Sequence, residues 1–219
     1  MRNSKLFFSL AAVLIAVISV GFYGIGSSGD PLNTMAPAGD NVPVVNSGNT
    51  LDLVGAWSNG SPITTQTYFG HGVGYTRNDT GWVFVIGGNA PAASNVVQRY
   101  NDRTSTWFTA ATLPYTIVVN GSAVLKDSVY SIGGYLSGSA ATTNFTKYDI
   151  NANAWVARAP LPSASAFCKG VGYQDSLIYV CQGYNGSTVT SVVYLYNANT
   201  NTWRTCTSLP AARFGGAFS

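Results

Sequence analysis

Residues 129–162 read VYSIGGYLSGSAATTNFTKYDINANAWVARAPLP, and the landmarks in this stretch recur on both sides of it. An apolar run ends in a glycine pair at Val129-Tyr-Ser-Ile-Gly-Gly134; Tyr148, Trp155 and Leu161-Pro162 follow. The preceding unit carries Val83-Phe-Val-Ile-Gly-Gly88, Tyr100, Trp107 and Leu113-Pro114. The following one carries Ile178-Tyr-Val-Cys-Gln-Gly183, Tyr196, Trp203 and Leu209-Pro210. The tyrosines, the tryptophans and the Leu-Pro pairs each recur every 48 residues. Three landmarks in phase over three units define an internal repeat, and a repeat of this length means stacked supersecondary units.

Each unit reads as four short strands. In the second they fall at Gly121–Leu125, Ser128–Ile132, Phe145–Ile150 and Trp155–Ala159, with turns at Lys126-Asp127 and over Asn151–Ala154. Short β-branched and aromatic runs separated by Asn, Asp and Gly turns are antiparallel hairpins. Four strands in about 48 residues match a propeller blade. The glycine pair lets the second strand turn sharply into its loop. The Tyr and Trp supply large buried surfaces with polar ends between blades, so Trp107, Trp155 and Trp203 read as structural.

The hydrophobic-Gly-Gly run, the Tyr-x6-Trp pair and the following Leu-Pro resemble the kelch repeat. The resemblance covers residues 51–219 and departs from the pattern at Gln182, which stands where the first glycine is expected. It implies an all-β fold, a β-propeller of four-stranded kelch blades at about 63–114, 115–162 and 163–210. Residues 51–62, with Trp57, resemble the end of a unit; by the family pattern they form an outermost strand placed ahead of the first full blade. After Leu209-Pro210 the sequence AARFGGAFS starts a fourth unit. Three complete blades plus partial first and last ones leave the ring incomplete, since propellers use about 4–8 blades. The expectation is therefore the N-terminal part of a longer protein, with closure by self-association as the alternative.

Ahead of the repeats, Met1–Lys5 is short and basic, and residues 6–26 are apolar apart from two serines and a tyrosine. Charge followed by an uninterrupted apolar run reads as an export signal, and its length also fits an uncleaved membrane anchor. Residues 27–50 have linker composition. Either form puts the propeller outside the cytoplasm, with membrane contact only through the N-terminal segment.

Composition narrows the function. Among 219 residues only 9% are charged, all eight acidic residues are Asp, and Gly numbers 24. A chain without Glu and with few Lys lacks the usual fillers of exposed helix faces, which excludes helical bundles. Removing Arg2 and Lys5 leaves nine basic against eight acidic residues, and no Lys/Arg cluster follows. Nucleic-acid binding needs a phosphate-tracking surface and is excluded.

The strand order puts two loops of each blade on one face, and the resemblance points to that face and the central channel as the ligand site. The loops after the glycines are Asn89–Asn95, Tyr135–Asn144 and Tyr184–Ser191; those after Leu-Pro are Ile63–Phe69, Tyr115–Val119, Ser163–Phe167 and Ala211–Phe214. The candidate ligand-binding residues are Arg213, Tyr115, Tyr68, Phe167, Tyr135 and Tyr184 on these loops, with His71 and Lys169 near the channel. Arg213 stands where kelch repeats often carry an arginine; Ile117 and Ser165 occupy the matching positions, so there is no arginine ring. Aromatic rings among Asn, Ser and Thr suit a carbohydrate or an extended peptide. A binding or scaffolding module for a protein or carbohydrate ligand, without cofactor, metal or catalytic residues of its own, is the favoured reading. The alternative is a carbohydrate-active propeller enzyme, resembling galactose oxidase or a sialic-acid mutarotase, with its catalytic residues in further blades. Cys168 and Cys181 flank a hairpin turn at Gln174-Asp175; a two-residue turn sets them opposite, so that either a cross-strand disulfide or two buried thiols results.

Overall fold

Fourteen β-strands and no helix make up the residues that the computed structural model describes, which are 60–89, 91–137, 140–181 and 183–216. The expected export segment at 1–26, the expected linker at 27–50, the strand expected around Trp57 and the residue Gln182 lie outside the described residues.

Three four-stranded antiparallel sheets follow one another along the chain. The first is β1 (His71–Arg77), β2 (Thr80–Ile86), β3 (Val97–Asn101) and β4 (Thr106–Ala110). The second is β6 (Gly121–Leu125), β7 (Ser128–Ile132), β9 (Phe145–Asp149) and β10 (Ala154–Ala157), and the third is β11 (Lys169–Tyr173), β12 (Leu177–Cys181), β13 (Val193–Asn197) and β14 (Thr202–Cys206). The two-residue strands β5 (Ile117–Val118) and β8 (Tyr135–Leu136) pair above the second sheet. These are propeller blades whose ring is not closed among the described residues. In the second blade the third strand ends one residue earlier than the sequence pattern predicts, and the fourth runs Ala154–Ala157 where Trp155–Ala159 is expected. The Asp149 carboxylate accepts hydrogen bonds from the amides of Asn151 and Ala152, which pulls Ile150 into the turn. Asn101 and Asn197 cap the matching turns in the same way, a side-chain mimic of a backbone turn.

Two apolar cores lie in the two seams between blades. Phe84, Ile86, Val97, Leu113, Ile117, Val129 and Tyr148 fill the first; Ala123, Tyr130, Ile132, Phe145, Leu161, Cys168, Ile178 and Tyr196 fill the second. The innermost strands approach closely where glycine replaces a side chain. A Cβ on Gly172 would come 2.0 Å from the carbonyl oxygen of Val124, and one on Gly170 2.5 Å from Ile132. The glycine pair is needed for two reasons: Gly133 and Gly134 have φ of 54° and 104°, and a Cβ on Gly133 would sit 2.0 Å from the Ser165 carbonyl oxygen.

The repeated tryptophans clamp neighbouring blades. Trp155 Nε1 donates to the carbonyl of Ala111, and Trp203 Nε1 to that of Ala159, each at 2.8 Å. Asn153 and Asn201 complete the clamp. Their Oδ1 atoms accept from the amides of Ala111 and Ala159 and from the hydroxyls of Tyr148 and Tyr196. Both asparagines hold a positive φ, 48° and 56°, which Asn tolerates better than most residues. Asn201→Ala removes two hydrogen bonds and strains the backbone, and is expected to lower stability by about 1–3 kcal/mol. Asn201→Gly relieves the strain and should lose less. Urea unfolding of the two variants checks the order; an Ala variant as stable as the parent would refute the clamp.

Candidate functional site

The loop that follows the second strand of each blade is hydrogen-bonded to the loop that opens the same blade. Tyr68 and Asn89 exchange backbone hydrogen bonds at 3.1 and 2.7 Å, and Ala166 and Tyr184 at 2.9 and 2.8 Å; β5 and β8 pair likewise in the middle blade. The two loop sets therefore share one face.

That face is tied together by a relay of backbone bonds. The amide of Val119 donates to the carbonyl of Phe69, that of Phe167 to Val119, and that of Gly215 to Phe167, at 2.9, 2.8 and 3.3 Å. All four residues are left-handed, with φ of 58°, 49°, 56° and 68° for Phe69, Val119, Phe167 and Gly215. For phenylalanine and a β-branched valine this conformation is strained, and it persists only where the surroundings over-determine it. Here hydrogen bonds from adjacent blades do so.

The relay sets the aromatic rings of the face. Phe167 lies edge-on to Tyr135 at 6.1 Å and to Phe214 at 5.5 Å, and Tyr135 meets Tyr184 at 6.4 Å. Tyr68 and Phe69 form a second pair, 5.2 Å apart. Tyr68, Phe69 and Phe214 are more than half exposed, whereas Phe167, Tyr135 and Tyr184 are half-buried. Arg213 is exposed beside Phe214, its backbone held by Thr190 and Gly183. Phe69 and Phe214 were not picked out as individual candidates from sequence; being in register with Phe167 and its neighbour is the signal that identifies them.

Two candidates lie elsewhere. Tyr115 is not part of the open array. It is half-buried in the first seam, its hydroxyl 2.9 Å from Thr146 Oγ1, and burial raises its pKa. Cys168 and Cys181 do not face each other. The hairpin turn has three residues, Gln174, Asp175 and Ser176, so Lys169 takes the place opposite Cys181. Both cysteines are buried thiols, and burial pushes Cys168 up to about 11, which leaves it unreactive as a nucleophile.

His71 and Lys169 do come together. They occupy equivalent positions on the innermost strands of the first and third blades, opposite Ile86 and Cys181. Gly121, opposite Ile132, holds that position in the blade between them. With no side chain intervening, Lys169 Nζ reaches His71 Nε2 at 2.7 Å. The ammonium donates, so the imidazole proton sits on Nδ1, which lies 2.5 Å from Ser122 Oγ. The Ser122 hydroxyl in turn points to the carbonyl of Gly72. A serine whose oxygen accepts from the imidazole is not activated by it, so this chain of bonds orients groups and does not form a nucleophile. Among the described residues no three His, Cys, Asp or Glu side chains gather as metal ligands.

The fold and its loop face define the class: a β-propeller of four-stranded blades, an architecture of binding modules. Within that class, the family model for the kelch motif matches residues 166–210. The matched stretch covers the third blade, and its landmarks recur in the other two, consistent with a kelch-repeat family.

Burial, and next the charge of Lys169, lower His71 to about 3 from its ordinary 6.5. The unfolded chain therefore binds more protons than the folded one between those values. The contribution of His71 is fully present above pH 6.5 and is lost as pH falls toward 3. Stability measured in urea from pH 7 to 4 should fall less steeply for His71→Asn than for the parent. Equal slopes would contradict the buried neutral imidazole.

Proposed function

We propose that this propeller is an exported binding module that takes a carbohydrate ligand on its aromatic loop face, with an extended peptide as the competing ligand. The single observation that carries this reading is the array of Tyr135, Phe167, Tyr184 and Phe214, tilted against one another and half open to solvent. Rings held on a hydrogen-bonded backbone offer stacking surface at little entropic cost on binding. Their neighbours Asn185, Thr188 and Thr190 are neutral hydrogen-bonding groups, which match hydroxyl-rich ligands better than charged ones. Export is supported by the basic, then apolar, N-terminal segment.

Glycan and peptide arrays probed in parallel with the full-length chain separate the two ligand classes. Phe167→Ala and Phe214→Ala should each weaken glycan binding about tenfold, equivalent to about 1.4 kcal/mol. Arg213→Ala should leave a neutral glycan bound within about threefold. Unchanged affinity in both phenylalanine variants, with the fold intact by circular dichroism, would refute the face.

A further inference from the structure

The repeat is broken at one seam in a way that leaves a hole. In the first seam the residue after Leu-Pro is Tyr115, whose ring fills the gap and whose hydroxyl meets Thr146 on β9. In the second seam the residue after Leu-Pro is Ser163, and the position 48 residues beyond Thr146 is Tyr194. Tyr194 lies edge-on to Trp203, 6.4 Å away, and does not replace the missing ring. A cavity of about 120 Å³ remains, lined by Ser163, Ser165, Val180, Thr190, Val192 and Tyr194 with Ala164 and Asn185.

Its chemistry is specific. No charged side chain lines it, so an ionic group has nothing to pair with there. Val180, Val192 and Tyr194 supply an apolar wall; Ser163, Thr190 and Asn185 supply short polar groups. Asn185 is fixed, because its Oδ1 accepts from the amides of Ser187 and Thr188. A cavity of this size takes a small group of a few heavy atoms. A neutral amide bearing one methyl group has four and needs both kinds of wall.

The cavity adjoins the aromatic array through the chain itself. Ser165 lies two residues before Phe167, Asn185 directly follows Tyr184, and the intervening Ala166 and Tyr184 are paired. We infer that this cavity seats the acetamido group of an amino sugar whose ring stacks on the adjoining aromatics. The inference rests on the carbohydrate reading of that face.

The test compares a linear trimer of N-acetylglucosamine with the glucose trimer of the same linkage, by calorimetry on the full-length chain. The acetamido trimer should bind at least tenfold more tightly, the scale expected when a small group fills an apolar pocket. Ser163→Tyr, which installs the residue of the first seam, should bring the two trimers to equal affinity. Thr190→Val keeps shape and removes a hydroxyl, and should narrow the preference at least threefold; it serves if Ser163→Tyr does not fold. Equal binding of both trimers by the parent, or a preference that survives these substitutions, would overturn the pocket and leave the carbohydrate face standing. Binding of neither trimer, with peptides bound at the aromatic array, would overturn both.

Discussion

Both seams among the described residues are closed by hydrogen bonds that leave one blade and end on the backbone of its neighbour. Sheets packed face to face through apolar side chains alone can slide, because dispersion and hydrophobic burial are nearly indifferent to direction. The tryptophan and asparagine clamps on Ala111 and Ala159 fix the outer rim. The left-handed relay through Phe69, Val119, Phe167 and Gly215 fixes the inner one. With both rims pinned, the two apolar cores have one packing available to them. The strained φ values of the relay are the local cost of that registration, and they fall on the face that carries the exposed rings.

Much of this was legible because the landmarks perform the same task in more than one unit. Trp155 and Trp203 stand 48 residues apart since each indole N–H reaches a carbonyl in the preceding blade. The second glycine of the pair recurs at Gly88, Gly134 and Gly183 since a side chain there would strike the loop that opens its own blade. What escaped the sequence was whatever depends on register within one unit. One additional turn residue, Ser176, moves Cys168 out of line with Cys181. The absence of a side chain at Gly121 lets Lys169 reach past a whole blade to His71. Tyr115 follows a proline in what reads as an open loop, yet its hydroxyl closes a seam. The left-handed residues of the relay escaped for another reason. Phe and Val are among the last side chains that local propensity would place there, and only contacts between blades hold them.

The two seams show how a repeat acquires individuality. Both use the same backbone pattern, yet the first is plugged by Tyr115 and lined with Ser122, Ser131 and Thr146, while the second carries Ser163 against Val180 and Tyr194. The buried polar groups of the first seam bond to one another and to His71 and Asn120. The second keeps open space under the loop face. Recognition in such a fold thus resides in the positions where one unit departs from its siblings, and the shared positions serve to hold those departures still.

The clamps also impose a schedule. The outer strand of the first blade is gripped by Asn153 and Trp155, more than 40 residues further along the chain, and that of the second by Asn201 and Trp203. At about 5–20 residues per second of synthesis, each new blade waits roughly 2–10 s on the ribosome for the residues that grip it. During that interval its apolar face is bare. A nascent propeller of this kind is thus most exposed to misassociation once per blade, at moments set by the length of the repeat.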